Sequence, residues 1–170
     1  MKKISIIIPL YNLEGLIGKC IASALDQDLP PEEYEVIVVD DGSTDGSLAA
    51  AQRAACGHAN VQVHAKPNEG VSLARNYGTE RAAGRYVMYV DADDYLSPSV
   101  LGGLTQIMDR ERLDMLCFDM AGVDEHGGDL PLWSDGLFAR GGGEVQSGRD
   151  FLRRDCFLPM ACAYLYDRAM

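Results

Sequence analysis

Short apolar runs alternate with amphipathic stretches from the first residues onward. Ile4-Ser-Ile-Ile-Ile8, Glu35-Val-Ile-Val-Val39 and Tyr86-Val-Met-Tyr-Val90 read as strands buried on both faces, because their apolar residues run together instead of alternating with polar ones. Val61-Gln-Val-His64 and Met115-Leu-Cys-Phe118 predict two more strands. Between them, Leu16, Ile17, Cys20, Ile21 and Ala24 recur at helical spacing within Glu14 to Asp26. Ser43 and Thr44 open an alanine-rich helix running to about Cys56, and a third helix runs from about Val71 to Ala83, closed by Gly84. Ser97 is a natural N-cap with Pro98 at the first position of a fourth helix.

This strict alternation predicts an α/β fold: a doubly wound, mostly parallel sheet with helices on both faces. Ligands of such sheets bind beyond the carboxyl ends of the strands. The rhythm is lost after Met120. Gly122 to Gly143, which holds Trp133, allows a long loop, a hairpin or a flap, and a helix resumes near Ser147 or Gly148 to cover Phe151 and Leu152. The stretch from Ala161 to Met170 reads as packed structure, which gives the expectation of a core over residues 1–120, a further region over 121–170, and a chain truncated at 170.

The chain has 170 residues, enough for one domain, and its 47% hydrophobic and 24% charged residues are those of a soluble globular protein. A net charge of −11 argues against a nucleic-acid partner. The basic start Met-Lys-Lys precedes an apolar stretch too short for a signal peptide, and no run reaches membrane-spanning length, which gives the expectation of a cytoplasmic protein. Cys20, Cys56, Cys117, Cys156 and Cys162 show no CxxC spacing and read as buried thiols. His58, His64 and His126 lack partner spacing and read as structural.

Three polar segments stand at successive strand ends. Asp40-Asp-Gly-Ser-Thr-Asp45 follows the second strand; Ser43, Thr44 and Asp45 are accounted for as turn and cap residues, but the pair Asp40-Asp41 is not, and fits acceptors for a sugar hydroxyl or a base N–H. Asn68-Glu-Gly70 turns into a helix whose N-terminus can receive an anion, with Arg75 a turn and a half further on. Asp91-Ala-Asp-Asp94 ends the fourth strand. If the extended form persists, Asp91 and Asp93 leave on the same side, and two carboxylates about 4 Å apart repel by roughly 4 kcal/mol at an effective dielectric near 20. A divalent cation offsets that repulsion, and hard oxygen donors suit Mg²⁺ or Mn²⁺; Asp94 reads as turn chemistry.

Together these residues resemble the family 2 glycosyltransferases, which have the Rossmann-like GT-A fold. The resemblance rests on SIIIPLYN (Ser5 to Asn12), EVIVVDDGSTDGS (Glu35 to Ser47), NEGVSLARNYG (Asn68 to Gly78) and YVMYVDADD (Tyr86 to Asp94). It implies transfer of a sugar, from a UDP-sugar by preference, to an acceptor hydroxyl with inversion, in the synthesis of cell-surface polysaccharide or glycoconjugate. It further implies that Pro9 and Tyr11 line the nucleotide pocket, that Asp40 or Asp41 bonds the base, and that Asn68 and Gly70 shape the wall before Arg75, which faces the diphosphate. Asp91 lies near the ribose, and Asp93, with Asp91 as its D-x-D partner, holds the metal. The partners implied are a nucleotide-sugar donor and a glycan or lipid-linked acceptor, with peripheral association at the inner face of the membrane through a region beyond Met170. The family's general base falls after a stretch that Tyr164-Leu-Tyr-Asp-Arg168 resembles, hence beyond Met170. Asp119, Asp124, Glu125, Asp150 and Asp155 are not in the matching context, so no base is assigned. Two other readings differ in class: a nucleotide-sugar-binding module without catalysis, and a phospho-receiver domain, whose acid pair follows the first strand instead of the second.

Overall fold

The computed structural model describes residues 1–118, 121–124, 128–130, 145, 147, 148, 150, 162 and 164–169. Trp133, Phe151, Leu152, His126, Cys156, Asp119, Glu125 and Asp155 lie outside the described residues. Among those described, the order is β1 (Ile4–Leu10), α1 (Ile17–Leu25), β2 (Tyr34–Asp40), α2 (Ser47–Ala55), β3 (Val61–Ala65), α3 (Val71–Arg81), β4 (Tyr86–Tyr89), α4 (Leu101–Glu111), β5 (Met115–Cys117), β6 (Gly122–Val123), β7 (Asp129–Leu130) and β8 (Tyr164–Asp167). The main sheet runs β3-β2-β1-β4-β8-β5, and β6 with β7 forms a separate antiparallel hairpin at the start of the glycine-rich stretch.

Side-chain alternation sorts the core into two layers. On one face, Ile4, Ile6, Ile8 and Leu10 of β1 join Val36, Val38 and Met88 against Ile17, Cys20, Ile21 and Ala24 of α1, Ala51 of α2, and Leu101 and Met108 of α4. On the other, Ile7, Ile37, Val39 and Val87 pack against Ala74 of α3. Burial of Ile17 and Ile21, both fully enclosed, contributes about 1.5–3 kcal/mol each. Gly78 lets α3 lie close on the sheet, since a Cβ there would stand 2.5 Å from Ile7 Cγ2. The same face carries a buried polar group: Glu35 accepts hydrogen bonds from Ser5 Oγ (2.6 Å), Gln62 Nε2 (3.3 Å) and the Ala83 amide (2.7 Å), fastening the end of α3 to the sheet.

Four local expectations are corrected. The fourth helix starts at Leu101, not at Pro98, and Ser97 does not cap it; its amides are met from the loop after α1, Val100 donating to Gln27 Oε1 (3.0 Å) and Gly102 to Asp28 Oδ1 (2.8 Å). The second helix starts at Ser47, because Ser43 and Thr44 are engaged with Asn12 instead. Leu16 precedes its helix and is exposed. The fifth strand does not extend the parallel set: β8 enters between β4 and β5, antiparallel to both, with Met88 opposite Leu165 and Leu116 opposite the same residue.

β1 is the turning point of the winding. The chain proceeds from β1 to β2 and β3 on one side, then crosses by α3 to β4 on the other. The loops after β1 and β4 therefore diverge, and a crevice opens above their carboxyl ends.

Candidate functional site

That crevice is a cleft of about 500 Å³ lined by Pro9, Leu10, Tyr11, Leu13, Asp41, Asn68, Gly70, Val71, Ala74, Arg75, Asp91, Ala92 and Asp93. Its size suits a small-molecule ligand. The structure thus gathers Pro9, Tyr11, Asp41, Asn68, Gly70, Arg75, Asp91 and Asp93, all singled out in the sequence, on one wall system. Asp40 stands just behind it, buried, and is the one predicted residue that does not line the cleft. Leu10, Leu13, Val71, Ala74 and Ala92 form an apolar floor that residue-by-residue reading of polar motifs passes over.

The two acids at the end of β2 do different work. Both oxygens of Asp41 are occupied: Oδ1 receives Lys66 Nζ (2.6 Å) and the Glu69 amide (3.1 Å), and Oδ2 receives the Gly70 amide (2.8 Å). The Asp41 and Lys66 side chains are only 4% and 7% exposed, and Lys66 also reaches Glu69 (2.9 Å) and the Pro67 carbonyl. Burial alone would raise the Asp41 pKa, but the Lys66 bond and the two amides outweigh it and hold the carboxyl below its ordinary value. Asp41 is therefore the organiser of the 66–70 loop. Gly42, at φ +73°, completes the close fit, since a Cβ there would stand 2.7 Å from the Asn68 amide nitrogen. Asp40 differs: Oδ2 accepts from the Ser43 amide (3.3 Å), while Oδ1 is buried and has no hydrogen-bond partner among the described residues. Lys66 was missed in the sequence; its signal is a lone lysine directly after β3, level with the acid pair at the end of β2.

Across the cleft, Arg75 Nη2 pairs with Asp91 Oδ1 at 2.6 Å, with side-chain exposures of 21% and 33%. The guanidinium lies 6.0 Å from the centre of the Tyr89 ring, and its Nε is buried without a partner among the described residues. Among the described residues, part of the donor capacity of Arg75 is unused.

The expectation that Asp91 and Asp93 share a side of an extended strand is corrected. β4 ends at Tyr89, and the Asp94 amide donates to the Asp91 carbonyl (2.9 Å), so residues 91–94 form a turn. The turn leaves Asp93 exposed on the cleft and brings Asp94 towards Asp91. Ligand atoms of Asp91, Asp94 and Cys162 lie within 4.8 Å of one another. Partial burial, then the charges of Asp93 and Asp91, push the Asp94 pKa up. Burial, then Asp91 and Asp94, push the Cys162 thiol up to about 11. Two converging carboxylates with a third beside them fit a hard divalent cation; a thiol held protonated adds little to such a site.

The sequence matches the family described as Glycosyl transferase family 2 over residues 5–158, and the chain belongs to that family. It is 40% identical over 113 residues to the uncharacterized glycosyltransferase EpsJ of Bacillus subtilis, covering 66% of this chain and 32% of EpsJ. It is 35% identical over 129 residues to TarS of Staphylococcus aureus, a poly(ribitol-phosphate) beta-N-acetylglucosaminyltransferase, covering 75% of this chain and 22% of TarS. The structure of TarS 1–349 in complex with UDP-GlcNAc superposes with a TM-score of 0.78 at 30% identity, over 98% of this chain and 46% of that one. The mannosyltransferase PcManGT of Pyrobaculum calidifontis, in complex with GDP-Man and Mn²⁺, gives 0.61 at 26% identity over 69% of this chain and 36% of that one. The chain thus spans a third or less of the length of EpsJ and TarS. Among the described residues no helix is long and apolar enough to cross a membrane.

Proposed function

We propose that this chain is the donor-binding part of an enzyme that transfers a sugar from a nucleoside-diphosphate carrier, a UDP-sugar by preference, to a hydroxyl of a glycan or lipid-linked acceptor. The product belongs to a cell-surface polysaccharide or glycoconjugate, and the anomeric centre is inverted. One observation carries the reading: eight residues singled out in four separate motifs line a single cleft at the turning point of the sheet. Kinship with TarS, whose structure holds UDP-GlcNAc, favours uridine over guanosine. Residues 1–120 are the donor-binding core, and the acceptor side begins after them.

Within this reading, Asp40 or Asp41 accepts from the base N–H, and Tyr11 lies along the base. Asp41 keeps the 66–70 loop in place, so that Asn68 and Gly70 form the wall beside the diphosphate. Arg75, which lines the cleft and meets Asp91 through Nη2, turns part of its guanidinium from Asp91 to the phosphate oxygens. Asp93 and Asp91 would hold Mg²⁺ or Mn²⁺, which supplies neutralisation of the charge that develops on the departing diphosphate. The grouping of Asp94 with Asp91 favours a second assignment, Asp91 with Asp94, for the same ion. The attacking hydroxyl gives its proton to a general base, a role assigned to none of the described residues.

The test is calorimetric titration of UDP, GDP, CMP and dTDP with and without Mn²⁺. Tightest binding of UDP, strengthened by Mn²⁺, is the expected result. Preference for GDP overturns the uridine assignment, and binding of none of the four overturns the donor reading.

A further inference from the structure

Two loops at the carboxyl end of the sheet are tied together by side chains for which donor recognition has no direct use. The Asn12 amide donates to Ser43 Oγ (3.0 Å) and the Leu13 amide to Ser47 Oγ (2.7 Å). In return, the Thr44 amide donates to Asn12 Oδ1 (2.8 Å) and the Gly46 amide to Glu14 Oε2 (2.6 Å). Side chains of each loop thus serve backbone amides of the other. Tyr11 lies at the start of this seam. The Leu10 carbonyl accepts from the Asp41 amide (2.8 Å), so the chain is fastened to the loop after β2 immediately before and immediately after Tyr11. Asn12 has φ +52°, a left-handed conformation that asparagine tolerates better than most residues.

We propose that Asn12 is a positioning residue for the nucleoside end of the donor: its bonds to Ser43 and Thr44 latch the loop after β1 and hold Tyr11 against the cleft. The proposal rests on the donor reading above. Tyr11 is 47% exposed and sits on a loop, so a base that packs against it must order it. A latch that has already fixed the backbone on both sides removes most of that ordering from the binding step. Asn12 touches no ligand in this scheme; its effect passes through Tyr11. The diphosphate end, built from Arg75 and the loops at 66–70 and 91–94, is outside its reach.

Asn12→Gly separates the latch from the backbone conformation, because glycine keeps the left-handed geometry and loses the acceptor. Asn12→Asp keeps an acceptor oxygen for Thr44. Ser43→Ala removes the other half of the latch without touching Asn12. The full chain and these variants are titrated with uridine, UDP and inorganic pyrophosphate in the presence of Mn²⁺. Asn12→Gly and Ser43→Ala are expected to weaken uridine and UDP by about three- to ten-fold while leaving pyrophosphate unchanged, and Asn12→Asp to restore uridine to within about two-fold of the parent. Uridine affinity unchanged in both Asn12→Gly and Ser43→Ala overturns the proposal. So does an equal loss of uridine and pyrophosphate, which would mark a general structural role. Failure of the parent chain to bind uridine or UDP overturns the donor reading itself, a result distinct from either.

Discussion

The loops after β2 and β4 both carry clustered aspartates at the end of a central strand, yet they meet opposite fates. After β2, the protein supplies donors: Asp41 has Lys66 and two amides, and Asp45 has the Ser47 amide (2.9 Å) and the Glu14 amide (3.3 Å). Asp41 is held below its ordinary pKa against its burial, and Asp45 is held low chiefly by the Ser47 hydroxyl. After β4, three carboxylates share one arginine. Asp91 has Arg75, while Asp94, burdened by partial burial and then by its acidic neighbours, has its pKa raised. Identical residue types at equivalent positions are thus a structural clamp in one loop and an under-compensated charge cluster in the other. Compensation, not the presence of acids, distinguishes scaffold from ligand site.

The sharpest test of the contrast is to remove the clamp. Asp41→Ala strands two part-buried backbone amides at once, each at a cost of about 1 kcal/mol, the low end of the range for a donor left without an acceptor. At about 2–4 °C per kcal/mol for a chain of this size, a Tm lower by about 4–8 °C is expected from differential scanning calorimetry. UDP affinity should fall with it, since the 66–70 wall is lost. A Tm within 1 °C or so of the parent would place Asp41 with the ligand-facing acids. Next in size is Arg75→Ala, which should weaken UDP by about ten- to a hundred-fold, the worth of a charge-assisted hydrogen bond, and leave uridine alone. Equal losses for both ligands would reverse the proposed orientation of the nucleotide.

The cation separates the acids within the second loop. Asp93→Ala is expected to abolish the strengthening of UDP binding by Mn²⁺, and Asp94→Ala to reduce it less; the reverse order would assign the ion to Asp91 and Asp94. The smallest effect is electrostatic and has a sign. Asp94 holds its proton more tightly folded than unfolded, so it costs stability in full above its raised pKa and nothing well below 3.8. In chelator-containing buffer, Asp94→Asn should therefore be more stable than the parent at neutral pH, with the difference vanishing on acidification. Asp41 runs the other way: its contribution is complete above 3.8 and is lost as pH falls through its depressed native value. Thermal melts of the two variants across pH, if they showed slopes of the same sign, would break the comparison.

Much of this arrangement was legible in the sequence because it is local. Doubly buried strands announce themselves as unbroken apolar runs, and β1, β2 and β4 were found within a residue or two at most ends. Their carboxyl ends, once ordered by alternation with helices, located the cleft. What escaped notice depends on partners far along the chain. The cap of α4 comes from Gln27 and Asp28, so Ser97 looked sufficient when it is not used. Lys66 gains its meaning only beside Asp41. The turn at 91–94 undid a period-two argument that holds for strands alone. The placement of β8 between β4 and β5 carries no local signal, because Tyr164-Leu-Tyr-Asp167 reads equally well in either direction and beside any neighbour.

That placement sets an order of events during synthesis. Strands β1 to β4 can pair as soon as they emerge, but among the described strands β5 is paired with β8 alone, which also covers one edge of β4. At about 5–20 residues per second of translation, Met115–Cys117 waits several seconds for Tyr164–Asp167 to arrive. During that interval the nascent chain presents an open β4 edge able to pair with another chain. Among the described strands, the latest to be synthesised is thus the one that joins β4 to the edge strand β5, and a chaperone that shields β4 over those seconds would guard the sheet.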